Sequence, residues 1–306
     1  MNGRRLAIVD LGSNTFHLLI CEVQPDGTRT ILYKERIYVK LASKGLGMID
    51  PDSELRAIEA MQRFGEHVRN YEVTFVRCIG TSALREAVNG IAVAERLTAA
   101  SGLPIEIIDG DREAGYIFRG ITSALPALDR PSLIMDIGGG SVEFILYLGT
   151  TILFKGSYKI GVAVLYKHFH HTDPIATDSI EQLEAFVSQE LAALFATVKS
   201  YPEYYLVGAS GSFEVLHDVL PRLIDRPEWA ELDMTGIRAY LDEIIQMDIH
   251  SRRSIPEIPI ERIDYIVVAY ILIRLILQEI PPSKLFFCDY ALKEGVLDEM
   301  VGSSEK

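Results

Sequence analysis

The sequence predicts an α/β protein built as two similar domains. Three observations carry this: its length, an internal repeat and an alternation of helix and strand patterns. At 306 residues the chain is near the size where a single hydrophobic core stops growing, so two domains are expected. The segment Asp10-Leu11-Gly12-Ser13-Asn14-Thr15 is echoed 126 residues later by Asp136-Ile137-Gly138-Gly139-Gly140-Ser141. Each copy lies between two apolar runs and reads as strand, glycine turn, strand. A second pair, Phe75 to Ser82 and Tyr205 to Ser210, recurs with its ends, Gly80 and Ser82 against Gly208 and Ser210, at an offset of 128 residues. Offsets this close point to a duplication.

The remaining elements follow in order. Hairpin turns are expected at Pro25-Asp26-Gly27 and at Gly149-Thr150. Glu54 to Tyr71 carries Leu55, Ile58, Met61, Phe64 and Val68 at helical spacing. A helix over 90–101 stops at Gly102, a strand covers 104–108, and another helix covers 111–124. In the second half Ile180 to Val198 reads as one long amphipathic helix, with Asp178-x-x-Glu181 as a capping-box-like start. Residues 213–260 have no counterpart in the first half and read as a helical insertion. A closing strand over 283–288 and a final helix over 290–300 complete the pattern. The expected domains are 1–125 and 126–306, each a sheet covered by helices, with the ligand in a cleft where the two glycine turns face one another.

The formal net charge of -13 is uneven: residues 1–128 hold 15 bases and 16 acids, whereas residues 129–306 hold 15 and 27. Residues 178–264 alone hold 17 acids and 7 bases. No global basic field exists to gather nucleic acid or acidic membrane, so neither is an expected partner. An anionic ligand must be held locally, and residues 29–44, with five bases and one acid, are a solvated strand face or an anion track. Cys21, Cys78 and Cys288 are too few and too scattered for a disulfide framework. The start Met1 to Arg5 lacks signal-peptide character, and the apolar stretch Tyr265–Leu277 is interrupted by Arg274 and too short to span a bilayer. A cytoplasmic, soluble protein is expected.

The two Asp-x-Gly loops are the strongest local signal. A glycine loop at a strand end offers backbone N–H groups to a phosphate. Asp10 and Asp136 would repel that phosphate unless a divalent cation lies between, so the pair suggests a phosphate clamp with Mg²⁺. Taken singly, each loop reads equally well as an ordinary hairpin turn. Asp109-Gly110-Asp111-Arg112-Glu113 opens a helix, where acids commonly serve as caps. Glu143 is a solvated hairpin residue or a site acid, and Arg85, just past Gly80-Thr81-Ser82, is a helix-surface arginine or a phosphate ligand. Lys167-His168-Phe169-His170-His171 reads as a polar helix end rather than a metal site.

Four ordered segments resemble the exopolyphosphatase/guanosine pentaphosphate phosphatase (Ppx/GppA) family: Asp10 to His17, Gly80 to Ala87, Asp136 to Glu143 and Ala291 to Leu297. The resemblance runs essentially the full chain, in the family's short two-domain form. It implies the duplicated fold of actin, sugar kinases and heat-shock chaperone ATPases. It also implies that Glu113 is the base for an attacking water, and that Asp136 and Glu143, with Asp10, bind Mg²⁺. Gly12, Ser13, Asn14, Arg85, Gly138, Gly139, Gly140 and Ser141 would hold phosphate. Such a set suits phosphoryl transfer to water, which needs positioning, charge neutralisation and one base. The implied reaction is release of the terminal phosphate of inorganic polyphosphate, with guanosine pentaphosphate hydrolysis as the alternative. A homodimer is a family-level expectation.

The chain departs from the family pattern at three places: Arg112 and Gly115 flank Glu113-Ala114 where the family has an acid and an arginine, Val142 replaces a threonine, and Ala42 replaces a glycine. An ATPase or kinase of the same superfold would need a nucleotide pocket at Gly208-Ala209-Ser210-Gly211-Ser212, and Glu113 as a base argues against it. A silent polyphosphate sensor is disfavoured by the intact acids.

Overall fold

In the computed structural model the described residues are 3–302, and they divide into two compact units. The first begins with β1 (Arg4–Leu11), β2 (Thr15–Val23) and β3 (Arg29–Tyr38), an antiparallel meander. Then come α1 (Pro51–Asn70), β4 (Phe75–Gly80), α2 (Ser82–Glu86), α3 (Gly90–Ser101), β5 (Ile105–Ile107) and α4 (Gly110–Ala124). The sheet order is β3-β2-β1-β4-β5, with β1, β4 and β5 parallel.

Alternation explains the layering. Ala7, Val9 and Leu11 of β1 and Phe16, Leu18 and Ile20 of β2 share one buried cluster with Met61 and Phe64 of α1. The intervening Leu6, Ile8, Leu19 and Cys21 are buried as well, so helices cover both faces. Helix α1 starts where Asp50 accepts hydrogen bonds from the Asp52 and Ser53 N–H groups, and Pro51 sits in its first turn.

The second unit repeats the plan: β6 (Ser132–Ile137), β7 (Val142–Leu148) and β8 (Thr151–Tyr158) form a meander, followed by α5 (Val162–Phe169). Helices α6 (Thr177–Glu190) and α7 (Ala192–Val198) lead to β9 (Tyr205–Ala209) and α8 (Gly211–Val219). A hairpin of β10 (Arg222–Asp225) and β11 (Trp229–Leu232) precedes α9 (Ile237–Gln246) and α10 (Ile249–Arg252). The buried helix α11 (Ile266–Glu279) and β12 (Lys284–Cys288) complete the sheet β10-β11-β12-β9-β6-β7-β8. Strands β6, β9 and β12 are parallel. No helix among the described residues is long and apolar enough to cross a membrane.

Four details differ from the sequence reading. The insertion is not all helical, since β10 and β11 extend the sheet from β12; strands of four residues are too short to show a period. The long helix is broken at Leu191, with Leu183, Val187 and Leu194 buried on both sides of the break, so the apolar spacing hides it. Asp178 does not cap α6, because Ala176 occupies the N-cap position and makes no side-chain bond. The final helix, α12 (Leu292–Gly302), belongs with the first unit, as does the chain from Ala291. The reason is close helix contact: a Cβ on Gly120 would lie 2.0 Å from the Ala291 carbonyl oxygen, and one on Gly295 would lie 1.9 Å from that of Tyr116. Only paired glycines let α4 and α12 approach so far.

Candidate active site

In the first unit the glycine turn closes by a hydrogen bond from Gly12 N–H to Thr15 O at 3.1 Å. In the second, Gly138 N–H donates to Ser141 O at 2.9 Å. The two turns are one structure repeated at the sequence offset. Each is propped from behind by its carbonyls. Ala42 N–H donates to Ser13 O, and Val39 and Lys40 N–H donate to Asn14 O. In the second unit the props are Val162 N–H on Gly138 O and Ala163 N–H on Gly139 O, from the start of α5.

The Gly12 and Gly138 amides close the turns and the carbonyls are engaged behind, which leaves the amides of Ser13, Asn14, Gly139 and Gly140 for a ligand. Side chains agree. The buried hydroxyls of Ser13 and Ser82 and the amide oxygen of Asn14 have no hydrogen-bond partner among the described residues. A buried polar atom without a partner marks a missing ligand or water. Ser82 was not singled out as a phosphate ligand from the sequence. It stands beside the first loop because Leu11 pairs with Gly80 at the ends of β1 and β4.

Arg85 and Glu113 meet at this same sheet edge. Arg85 Nη1 donates to Glu113 Oε2 at 3.0 Å and to the Ile108 carbonyl at 2.8 Å. Glu113 is buried in the first turn of α4. That turn is anchored by Asp109, which accepts from the Arg112 N–H at 2.8 Å. Arg112, one of the departures from the family, donates to Glu106 and Tyr116, and Arg77 joins both. Burial works against the Glu106 charge, but the Arg77 and Arg112 guanidinium groups hold its carboxyl below the usual range. Arg112 is thus tied to β5 and to the body of α4, and a Cβ on Gly115 would meet open space. Val142 is fully buried.

The sheet register sets two contrasting rows. In the first unit Asp10 stands opposite His17, and His17 opposite Arg36. In the second, Asp136 stands opposite Glu143, and Glu143 opposite Ser157. Residues directly opposite in adjacent antiparallel strands share a face, and like charges there destabilise the pair. Glu143 is 2% exposed, and Ser157 Oγ donates to its Oε1 at 2.7 Å. Two facing carboxylates suit Mg²⁺, which takes one or two carboxylates and completes its shell with water and substrate phosphate. No group of three or more His, Cys, Asp or Glu among the described residues is gathered to hold a metal by itself. The basic stretch is partly committed to structure, since Arg29 pairs with Asp298 at 2.8 Å and Lys44 lies 3.6 Å from Asp50.

Comparison with known proteins settles the family. The model of the Ppx/GppA phosphatase family matches residues 19–304. The chain belongs to that family. A Haemophilus influenzae relative with a provisional exopolyphosphatase name is 25% identical over 97% of this chain and 91% of that protein. The Vibrio atlanticus guanosine-5'-triphosphate,3'-diphosphate pyrophosphatase is 32% identical over 70% of this chain, which spans 43% of that enzyme. The crystal structure of an exopolyphosphatase from Cytophaga hutchinsonii is 32% identical over 98% of both chains, with a TM-score of 0.91. The expected duplicated actin-like fold is the fold observed, and the protein is a phosphatase of the Ppx/GppA family.

Proposed function

We propose that this phosphatase releases the terminal phosphate of inorganic polyphosphate by Mg²⁺-dependent attack of water. The supporting observation is coverage. The Cytophaga exopolyphosphatase structure matches end to end, whereas this chain spans less than half of the Vibrio guanosine-phosphate enzyme.

In this reading the Ser13-Asn14 amides, with the Ser13 and Ser82 hydroxyls, and the Gly139-Gly140-Ser141 amides bind phosphate oxygens of the substrate, while Gly12 and Gly138 close the turns that present them. Arg85 does two things: its guanidinium pairs with that phosphate and holds Glu113 by Oε2. Glu113, held in place by Arg85, takes the proton of the attacking water. Asp136 and Glu143 would hold the Mg²⁺, with Asp10, which shares its row with His17 and Arg36, as a further candidate ligand. The bound cation would neutralise charge on the terminal phosphate and orient the water. A nucleotide pocket at Gly208 to Ser212 is disfavoured, since the space beside Gly208 is filled by the Phe213 ring and that beside Gly211 by the Arg262 guanidinium.

The test is phosphate release with Mg²⁺ from long-chain polyphosphate, guanosine pentaphosphate and ATP, compared by kcat/KM. Polyphosphate is expected to rank first. A higher kcat/KM for guanosine pentaphosphate moves the substrate to that branch of the family, and release from ATP alone overturns the reading.

A further inference from the structure

The backbone at Ser210 is unusual. Its φ is 75° and its ψ 179°, a region occupied almost only by glycine. Glycine would adopt this bend without strain, so a serine here calls for a reason in its side chain. The hydroxyl supplies one. Ser210 Oγ donates to the Ile137 carbonyl at 2.9 Å and accepts from the Ile137 N–H at 3.2 Å.

Both bonds stand where a sheet ladder would otherwise continue. The β6–β9 ladder ends at the pair Asp136 and Ala209. In the first unit the matching ladder runs one pair further, to Leu11 and Gly80, and the Thr81 N–H then donates to Leu11 O at 3.3 Å. In the second unit the chain leaves the sheet one residue early, and a side chain replaces the missing backbone partner. Arg262 holds the bend from the far side, with Nη1 donating to Gly211 O at 2.6 Å and Nη2 to Glu214 at 2.7 Å.

We propose that Ser210 is a positioning residue for the second phosphate loop. Its hydroxyl locks both backbone groups of Ile137, the residue between Asp136 and Gly138, and so keeps Asp136 opposite Glu143 and fixes the start of the glycine turn. The inference rests on the role given to Asp136 above. Strain at Ser210 is what the loop's fixed geometry requires, because the bend brings the hydroxyl into the ladder's place.

Two variants separate this role from simple stabilisation. S210A keeps the strained backbone and loses the hydroxyl, whereas S210G loses both. The expected pattern is that S210G melts above S210A, while both lose kcat on the order of 10- to 100-fold with KM little changed. Exchange of the Ile137 amide with solvent should quicken on the order of tenfold in both, a readout independent of activity. Near-normal kcat in S210G, kcat rising with stability from S210A to S210G, or unchanged Ile137 exchange would each overturn the proposal. If the wild-type protein releases phosphate from none of the three substrates, the proposed function fails instead, and the amide exchange still decides whether Ser210 locks the loop.

Discussion

The same turn serves both units of the molecule, but its acid sits in opposite company. In the first unit the row across the sheet is Asp10, His17 and Arg36; in the second it is Asp136, Glu143 and Ser157. The first unit also carries Glu113, paired with Arg85. The duplicated frame has thus divided the work. One copy runs its row on to a basic residue, Arg36, and pairs Glu113 with Arg85, whereas the other sets two acids opposite each other, an arrangement that favours an outside cation. Geometry is inherited from the repeat, whereas charge is set residue by residue.

The largest effect expected from breaking this division is at Glu113, the proposed base. Glu113→Gln keeps the shape and the Arg85 contact but cannot accept a proton, so turnover should fall about 10²- to 10⁴-fold with polyphosphate binding retained. Phosphate release and a binding isotherm check it, and near-normal turnover would remove Glu113 from the mechanism. Next is the acid pair. Mg²⁺ at about 100 times its Kd should stabilise the wild-type protein by about 2.7 kcal/mol. Glu143→Gln should lose most of that gain, and should itself melt slightly higher in chelator because the facing charges are gone. Equal Mg²⁺ stabilisation of both proteins would place the metal elsewhere.

A third prediction sharpens the contrast between the props behind the loops. Burial alone would raise the Asp50 pKa, but hydrogen bonds from Ser53 and Ser43, with Lys44 nearby, hold it down at about 2. A depressed carboxyl stabilises the fold above the unfolded value near pH ~4, and that contribution is lost as pH falls toward about 2. Ser53 Oγ, bonded to Asp50, also reaches the Lys40 carbonyl, in the segment propping Ser13 and Asn14. Asp50→Ala should therefore lower stability by about 1–2 kcal/mol at neutral pH. It should also remove part of the acid dependence between those pH limits, as chemical denaturation at several pH values would show. The smallest effect is at Gly115, where a helical glycine faces open space: Gly115→Ala should raise stability by about 0.4–1 kcal/mol with activity unchanged. A loss of activity there would tie α4's surface to the substrate.

Much of this was legible in the sequence because it is local. The glycine turns, the strand that precedes each, and helices α1, α3 and α4 are written in runs of fewer than about twenty residues, where periodicity and caps act directly. Asp10 and Asp136 stood out for the same reason, each lying beside a readable turn, whereas the roles of Glu113 and Glu143 came from the resemblance to the family. Cys21 and Cys78 lie in apolar runs and are buried, and burial pushes their thiol pKa values up to about 11 and about 12. The β10–β11 hairpin stayed hidden because its strands are too short to show alternation. Ser82 and Ser210 stood out only as the ends of the second repeat, since a hydroxyl after a strand is common and only the backbone path reveals which one is stranded or strained.

By itself the sequence determined the duplication, most of the order of elements and the family, and it named the acids proposed for the chemistry, because each is written in neighbours along the chain. Tertiary structure alone decided that α12 returns to the first unit, through glycines 175 residues apart in sequence. It decided that Arg85 takes hold of Glu113, and that Asp136 faces Glu143 while Asp10 faces His17. Those pairings depend on register and close backbone contact, which the chain acquires only when distant segments are packed together.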